Sequence, residues 1–191
     1  GLAYDYRWSW HAGGAHVFAA VDPARWAFVR ENPVRFLAGL PRRAQREAER
    51  DMQLLDRIYR VAGEVADTVR EPATPAPGLD GPVAFFCAEF GIHVSLPVYS
   101  GGLGVLAGDI LKEASDRGLA MVAVGLLYRR GYFCQRVDAW GRQQEYWLEY
   151  DPEELPLALV LGAGGEPLRL STPLMGGEVA FHVWVASVGR V

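Results

Sequence analysis

The sequence predicts an α/β fold in two unequal parts, a helical front section and, after a proline-rich connector, a unit of strands and helices. Three observations carry this reading. Residues 1–70 string together helix-starting pairs and apolar positions spaced by three and four. Residues 71–82 hold Pro72, Pro75, Pro77 and Pro82 with Gly78 and Gly81. From Val83 onward, short apolar runs bounded by turn residues surround one amphipathic stretch.

Each element has a local cause. Asp22-Pro23 and Asn32-Pro33 pair a side chain that accepts from free backbone N–H groups with a proline already set at the helical φ. The first pair should start a short helix carrying Trp26 and Val29, the second one carrying Phe36, Leu37 and Leu40. A third helix is expected over about 42–69, with Leu55, Ile58, Tyr59, Ala62, Val65 and Val69 on one buried stripe and charges elsewhere. Residues 71–82 should be a stiff, structureless linker at a domain boundary, leaving 1–70 and 83–191 as separate units. Val83–Cys87 and Leu119–Leu126 suit buried parallel strands. The helix of about 103–117, ended by Gly118, would link them in a right-handed βαβ crossover. Later strands are expected at 132–137, 158–161, 168–172 and 179–188.

Composition excludes several function classes. The 191 residues are 50% hydrophobic and 22% charged, as in a packed globular chain. Lys and Arg number 19 against 23 Asp and Glu, a net charge of -4, so the basic footprint of a nucleic-acid binder is missing. The arginines of 42–60 alternate with Glu47, Glu49, Asp51 and Asp56, the pattern of a solvated helix face. The longest apolar run falls far below the ~18 residues of a membrane-spanning helix, and no signal peptide opens the chain. Cys87 and Cys134 have neither metal-site spacing nor a disulfide framework. Free thiols in a reducing cytoplasm are the expectation. Because it opens at Gly1 without Met and stops at Val191 inside an apolar alternation, the sequence is read as a fragment.

The most chemical feature is Ser100-Gly101-Gly102-Leu103-Gly104 at a helix start. Glycines let backbone approach a ligand, and the first turn of a helix offers unpaired N–H groups and a positive dipole end to an anion. The same glycines also serve a plain tight turn into a packed helix, and spacing does not separate the two roles. Gly102 to Ala107 fits G-x-G-x-x-A, but the loop lies some way past the strand and no acid closes the following strand, so nicotinamide binding is not expected. No Gly-Lys-Ser/Thr follows, so neither is this a P-loop. Glu89, directly after the first strand, is a candidate to fix a ligand or a loop, or simply to pair locally. His93 is similarly open between a site role and a structural one. Asp109 and Asp116 share a helix face without further ligands, so no metal is expected.

A longer string is specific. Ala84-Phe85-Phe86-Cys87-Ala88-Glu89-Phe90-Gly91-Ile92-His93, with Leu96-Pro97-Val98-Tyr99-Ser100-Gly101-Gly102-Leu103-Gly104-Val105-Leu106-Ala107-Gly108-Asp109, resembles the α-glucan (glycogen, starch and maltodextrin) phosphorylases. The resemblance continues through Ala114–Gly118, Val124–Tyr128, Gly131-Tyr132-Phe133 with Gln135, and Gly141 with Gln143 and Glu145. At the front it includes Trp8-Ser9-Trp10, Asp22-Pro23 with Trp26, and Asn32-Pro33-Val34. Gly91 and Val105 stand where the long-type enzymes have a tyrosine and a basic residue, which matches the short bacterial and archaeal type.

The resemblance implies a helical N-terminal extension followed by an incomplete Rossmann-like N-terminal domain of a GT-B glycosyltransferase. It implies phosphorolysis of terminal α-1,4-linked glucose to glucose 1-phosphate, with α-glucan and inorganic phosphate as partners and pyridoxal phosphate as cofactor. Gly101, Gly102, Leu103 and Gly104 would hold the substrate phosphate, and Glu89 would support the cofactor pocket. The family's cofactor lysine lies beyond this chain, whose one lysine, Lys112, is mid-helix among 18 arginines. No complete catalytic set is therefore expected here, and the missing C-terminal domain would hold most of the cofactor. Two other readings are a sugar-nucleotide-dependent GT-B glucan synthase, whose usual Lys-Thr-Gly-Gly-Leu string is replaced by Tyr99-Ser100 before the glycines, and a glucan-binding module using Trp8, Trp10, Trp26, Trp140, Trp147 and Trp184.

Overall fold

A computed structural model describes residues 1–191. Helices α1 (Gly14–Ala19), α2 (Pro23–Phe28), α3 (Pro33–Ala38), α4 (Arg42–Arg50) and α5 (Met52–Arg70) form the front of the chain. Two short 3-10 turns, Leu2–Tyr4 and Tyr6–Ser9, precede them. Asp22 caps α2 by accepting from the Arg25 N–H, and Asn32 caps α3 by accepting from Val34 and Arg35.

The single long helix expected over 42–69 is two helices. Asp51 takes an extended backbone (φ −84, ψ 92), and its carboxylate accepts from the Leu54 N–H, starting α5 afresh. The buried stripe also differs from the expected one. Leu54, Val61 and Val65 are buried with Ile58 beside them, whereas Tyr59 is 73% exposed. α4 buries nothing.

Strand β1 (Val83–Phe86), α6 (Gly102–Asp116) and β2 (Met121–Val124) make the expected unit, with β1 and β2 parallel and Val83 opposite Met121. The strands are half-buried rather than buried. Phe86, Val122 and Val124 stand on an open face, because no layer of this chain covers it. The connector is also less free than its composition suggests. Thr74 bridges to Leu119, its N–H donating to the Gly118 carbonyl and its own carbonyl accepting from Ala120.

Three antiparallel pairs complete the architecture. β3 (Arg130–Val137) pairs with β4 (Gln143–Glu149), β5 (Ala158–Leu159) with β8 (Trp184–Val185), and β6 (Arg169–Leu174) with β7 (Gly177–His182). β4 has no counterpart among the strands expected from sequence, since its polar Gln143-Gln144-Glu145 start breaks the apolar pattern. The expected strand over 179–188 splits at Val183 into β7 and β8.

Two cores hold this together. In the helical one, Phe18 stacks on Trp26 at 4.9 Å, and Trp8 and Phe36 meet them edge-on. Such aromatic pairs each add about 0.5–1.5 kcal/mol to the area they bury. The second gathers Tyr6, Phe90, Ile92, Leu96, Ala107 and Leu111 with Leu155, Leu157 and Val188. The first ten residues join the two, because Tyr6 enters one core and Trp8 the other. Asp5 accepts from the Gly189 N–H, and Arg190 donates to the Ser115 and Asp116 carbonyls at the end of α6. A cation there suits the negative end of the helix dipole.

Candidate functional site

The site is built where α6 begins. Gly101 is the residue before the helix, extended at φ −155, and no side chain caps the free N–H groups. An added Cβ at Gly101 or Gly102 meets no heavy atom within 4 Å, so both face open space. Leu103 is 61% exposed beside them. Gly104 faces the opposite way: a Cβ there would stand 2.5 Å from the Tyr99 Cβ and 3.1 Å from a Glu89 oxygen. Gly91 and Gly108 likewise let α6 cross the segment after β1 at backbone contact, with the Gly91 N–H donating to the Gly104 carbonyl at 2.6 Å. The glycine loop is thus divided, with two glycines facing open space and one packed inside.

Glu89 lies under the loop, 9% exposed. Its carboxylate accepts from the Tyr132 hydroxyl at 2.9 Å, from the Ser100 hydroxyl at 3.3 Å and from the Ser100 N–H at 3.4 Å. Those bonds, the Tyr132 hydroxyl foremost, hold its carboxyl below the usual glutamate range. The acid is therefore ionised, and it fixes the backbone immediately before the free N–H groups. Tyr132 is a residue that sequence reasoning missed as a site residue. It acts across 43 positions, and no local spacing reveals such a contact. A cavity of about 340 Å³ lined by Tyr99, Tyr128, Tyr132 and Tyr150 with Arg130 adjoins this network.

The other candidates lie elsewhere or serve structure. His93 accepts from the Ser95 N–H at Nδ1, which leaves Nε2 to donate to Glu31 at 3.3 Å, and Trp8 packs edge-on against its ring. Burial lowers its pKa against the pull of Glu31. Asp109 pairs with Lys112, and Asp116 with Arg7 and the Trp10 indole N–H. No three His, Cys, Asp or Glu side chains gather in a metal-binding group. Cys87 and Cys134 are free thiols. Of the tryptophans, Trp8 and Trp26 are core, while Trp140 and Trp147 are exposed on the β3–β4 hairpin.

The chain's own residues do not fit a Schiff-base cofactor. Lys112 is ten residues into α6 from Gly102, about 15 Å along the axis, and its ammonium faces Asp109 at 3.8 Å. What the arrangement offers is a helix start without a side-chain cap, beside an ionised, hydrogen-bonded acid.

Comparison with known proteins finds relatives of this sequence. The family model described as Protein of unknown function (DUF3417) matches residues 1–96. A maltodextrin phosphorylase of Thermococcus litoralis is 38% identical over 198 residues, covering 100% of this chain and 23% of its own length. A glycogen phosphorylase of Mycobacterium tuberculosis is 39% identical over 200 residues, again 100% and 23%. One of Aquifex aeolicus is 31% identical over 197 residues, 99% and 27%. The chain spans about a quarter of the length of these relatives. No solved structure matches it significantly. No helix is long and apolar enough to cross a membrane. With half of its residues matched by that model and its whole length aligned with maltodextrin and glycogen phosphorylases, the chain belongs to the DUF3417 family and is a homologue of those enzymes.

Proposed function

We propose that this chain is the N-terminal part of an α-glucan phosphorylase of the GT-B type, which transfers terminal α-1,4-linked glucose to inorganic phosphate and releases glucose 1-phosphate. The whole-length likeness to three phosphorylases carries the reading. The open N-terminus of α6 supports it, because a phosphate needs what this loop offers, uncapped N–H groups of Gly102 and Leu103 at the positive end of a 15-residue helix and, at Gly101, an approach free of any side chain. Gly104 belongs to the same loop as the residue that seats it on Tyr99 and Glu89. The division of labour along the chain is a helical extension over 1–70, a connector over 71–82 and a partial Rossmann-like domain over 83–191, working in the cytoplasm.

In this role the residues act as fixed dipoles. The N–H groups are in place before the anion arrives, so little reorganisation accompanies charge build-up in the transition state. Glu89 keeps the loop backbone aimed. Pyridoxal phosphate, held mainly by the C-terminal domain, would supply a phosphate group for proton exchange with the reacting phosphate. Nothing in this chain anchors it covalently.

The test uses the full-length parent protein. It should release glucose 1-phosphate from maltoheptaose only when phosphate is present. Gly102→Val has room to fold, yet its branched side chain enters the anion space, so phosphorolysis should fall by more than about 100-fold, as loss of oxyanion-type stabilisation does. Near-normal turnover of a folded Gly102→Val protein overturns the placement of the loop. The 191-residue chain alone should show no turnover.

A further inference from the structure

The geometry points to Tyr132 as a positioning residue that, through Glu89, sets the backbone of Ser100 and Gly101 at the anion-binding end of α6. The inference rests on the phosphorylase reading for its chemistry and on the structure alone for its geometry.

A break in the β3–β4 ladder aims this tyrosine. The pairing of β3 with β4 shifts register between Arg130 and Phe133, so Gly131 and Tyr132 sit in an irregularity of the ladder. Such bulges re-aim a side chain that regular pleating would hold in the sheet face. Released from the ladder, Tyr132 reaches Glu89 at 2.9 Å, the shortest of that acid's three hydrogen bonds. Tyr132 is nevertheless 65% exposed as a residue, so burial does not explain the placement, and the hydroxyl is its anchor. On the other side, both Glu89 oxygens hold Ser100, one the hydroxyl and one the N–H. The chain of contacts is therefore bulge, phenol, carboxylate, loop amide, with the Gly101 N–H also drawn to Glu89, and it ends one residue before Gly102. Neither Gly101 nor Gly102 has a side chain of its own to hold it in place, so its alignment depends on such a brace.

Tyr132→Phe removes one oxygen and keeps the ring. In the full-length protein, the Ser100 amide, which donates to Glu89, should exchange hydrogen about tenfold faster in Tyr132→Phe, while those of 83–86 and 121–124 stay as they were. In the full-length protein, Tyr132→Phe should raise KM for phosphate and lower kcat/KM for phosphate about tenfold, in the range for a hydrogen bond to a charged group, with KM for maltodextrin unchanged. In a Glu89→Ala background the same substitution should change phosphate kcat/KM by less than about twofold, because the two residues act in series. Unchanged exchange at Ser100 overturns the inference, as does an equal loss in both backgrounds. Faster exchange in a parent that shows no phosphorolysis leaves Tyr132 as the brace and overturns the phosphorylase reading instead.

Discussion

The helical front and the α/β unit use apolar residues in opposite ways. Around Trp8, Phe18, Trp26 and Phe36 the helices close a core within their own first 65 residues, and each of those rings is at most 6% exposed. The α/β unit closes one side only. Its inner face packs Phe90, Ile92, Ala107 and Leu111, while Phe86, Val122 and Leu126 stand at 72%, 56% and 63% exposure. Uncovered apolar area of this kind marks an interaction surface. The difference shows which part of the chain holds its stability within itself. It also places the candidate site on the half whose outer layer is still open.

Substitutions can break that contrast. The largest effect should come from Trp26→Ala, which empties the middle of the aromatic cluster and should cost about 3–5 kcal/mol in denaturant unfolding. Phe86→Ser on the open face should stay within about 0.5 kcal/mol. Equal losses would mean that the two faces are not different.

Next, Gly108→Ala should cost about 1–3 kcal/mol, because its Cβ would run into the Gly91 carbonyl and neither backbone can give way. Gly101→Ala, with nothing within 4 Å, should leave the thermal midpoint within a degree or two of the parent, on the order of a surface change. This pair separates the packing glycines from the open ones by stability alone.

Asn32→Ala should cost about 1–2 kcal/mol. It removes the cap of α3 and the bond from the Asn32 Nδ2 to the Glu154 carbonyl that ties the helices to the later chain. Urea titration monitored by Trp fluorescence reads it.

The smallest effect is the pH dependence at His93, which faces Glu31, Lys112, Ser95 and the Trp8 ring. Burial lowers its folded pKa, so the unfolded chain takes up the proton first. Its contribution to stability is intact above the unfolded value of about 6.5 and declines as pH falls toward the lower folded value. His93→Gln should flatten the fall in midpoint between pH 7 and pH 5.

Where the backbone itself carries the information, local sequence is enough. Asp22-Pro23 and Asn32-Pro33 start their helices as their chemistry requires, and the apolar runs at 83 and 121 become a parallel pair around α6. The long charged helix fails the same test, because Asp51 can either continue a helix or cap a new one, and the cap wins through its bond to Leu54. β4 stays invisible for a related reason. Its hydrogen-bond partner supplies what its own polar side chains do not.

Residue order alone therefore determined the starts of α2 and α3, the glycine loop and the chain's kinship with the phosphorylases, since each rests on neighbours within a few positions. Only the tertiary structure decided that Gly104 faces inward while Gly101 and Gly102 face out, and that Tyr132 reaches back to brace Glu89. The physical reason is distance along the chain. A helix crossing at glycine contact and a hydrogen bond spanning 43 residues exist only once the elements have packed, and no local pattern encodes them.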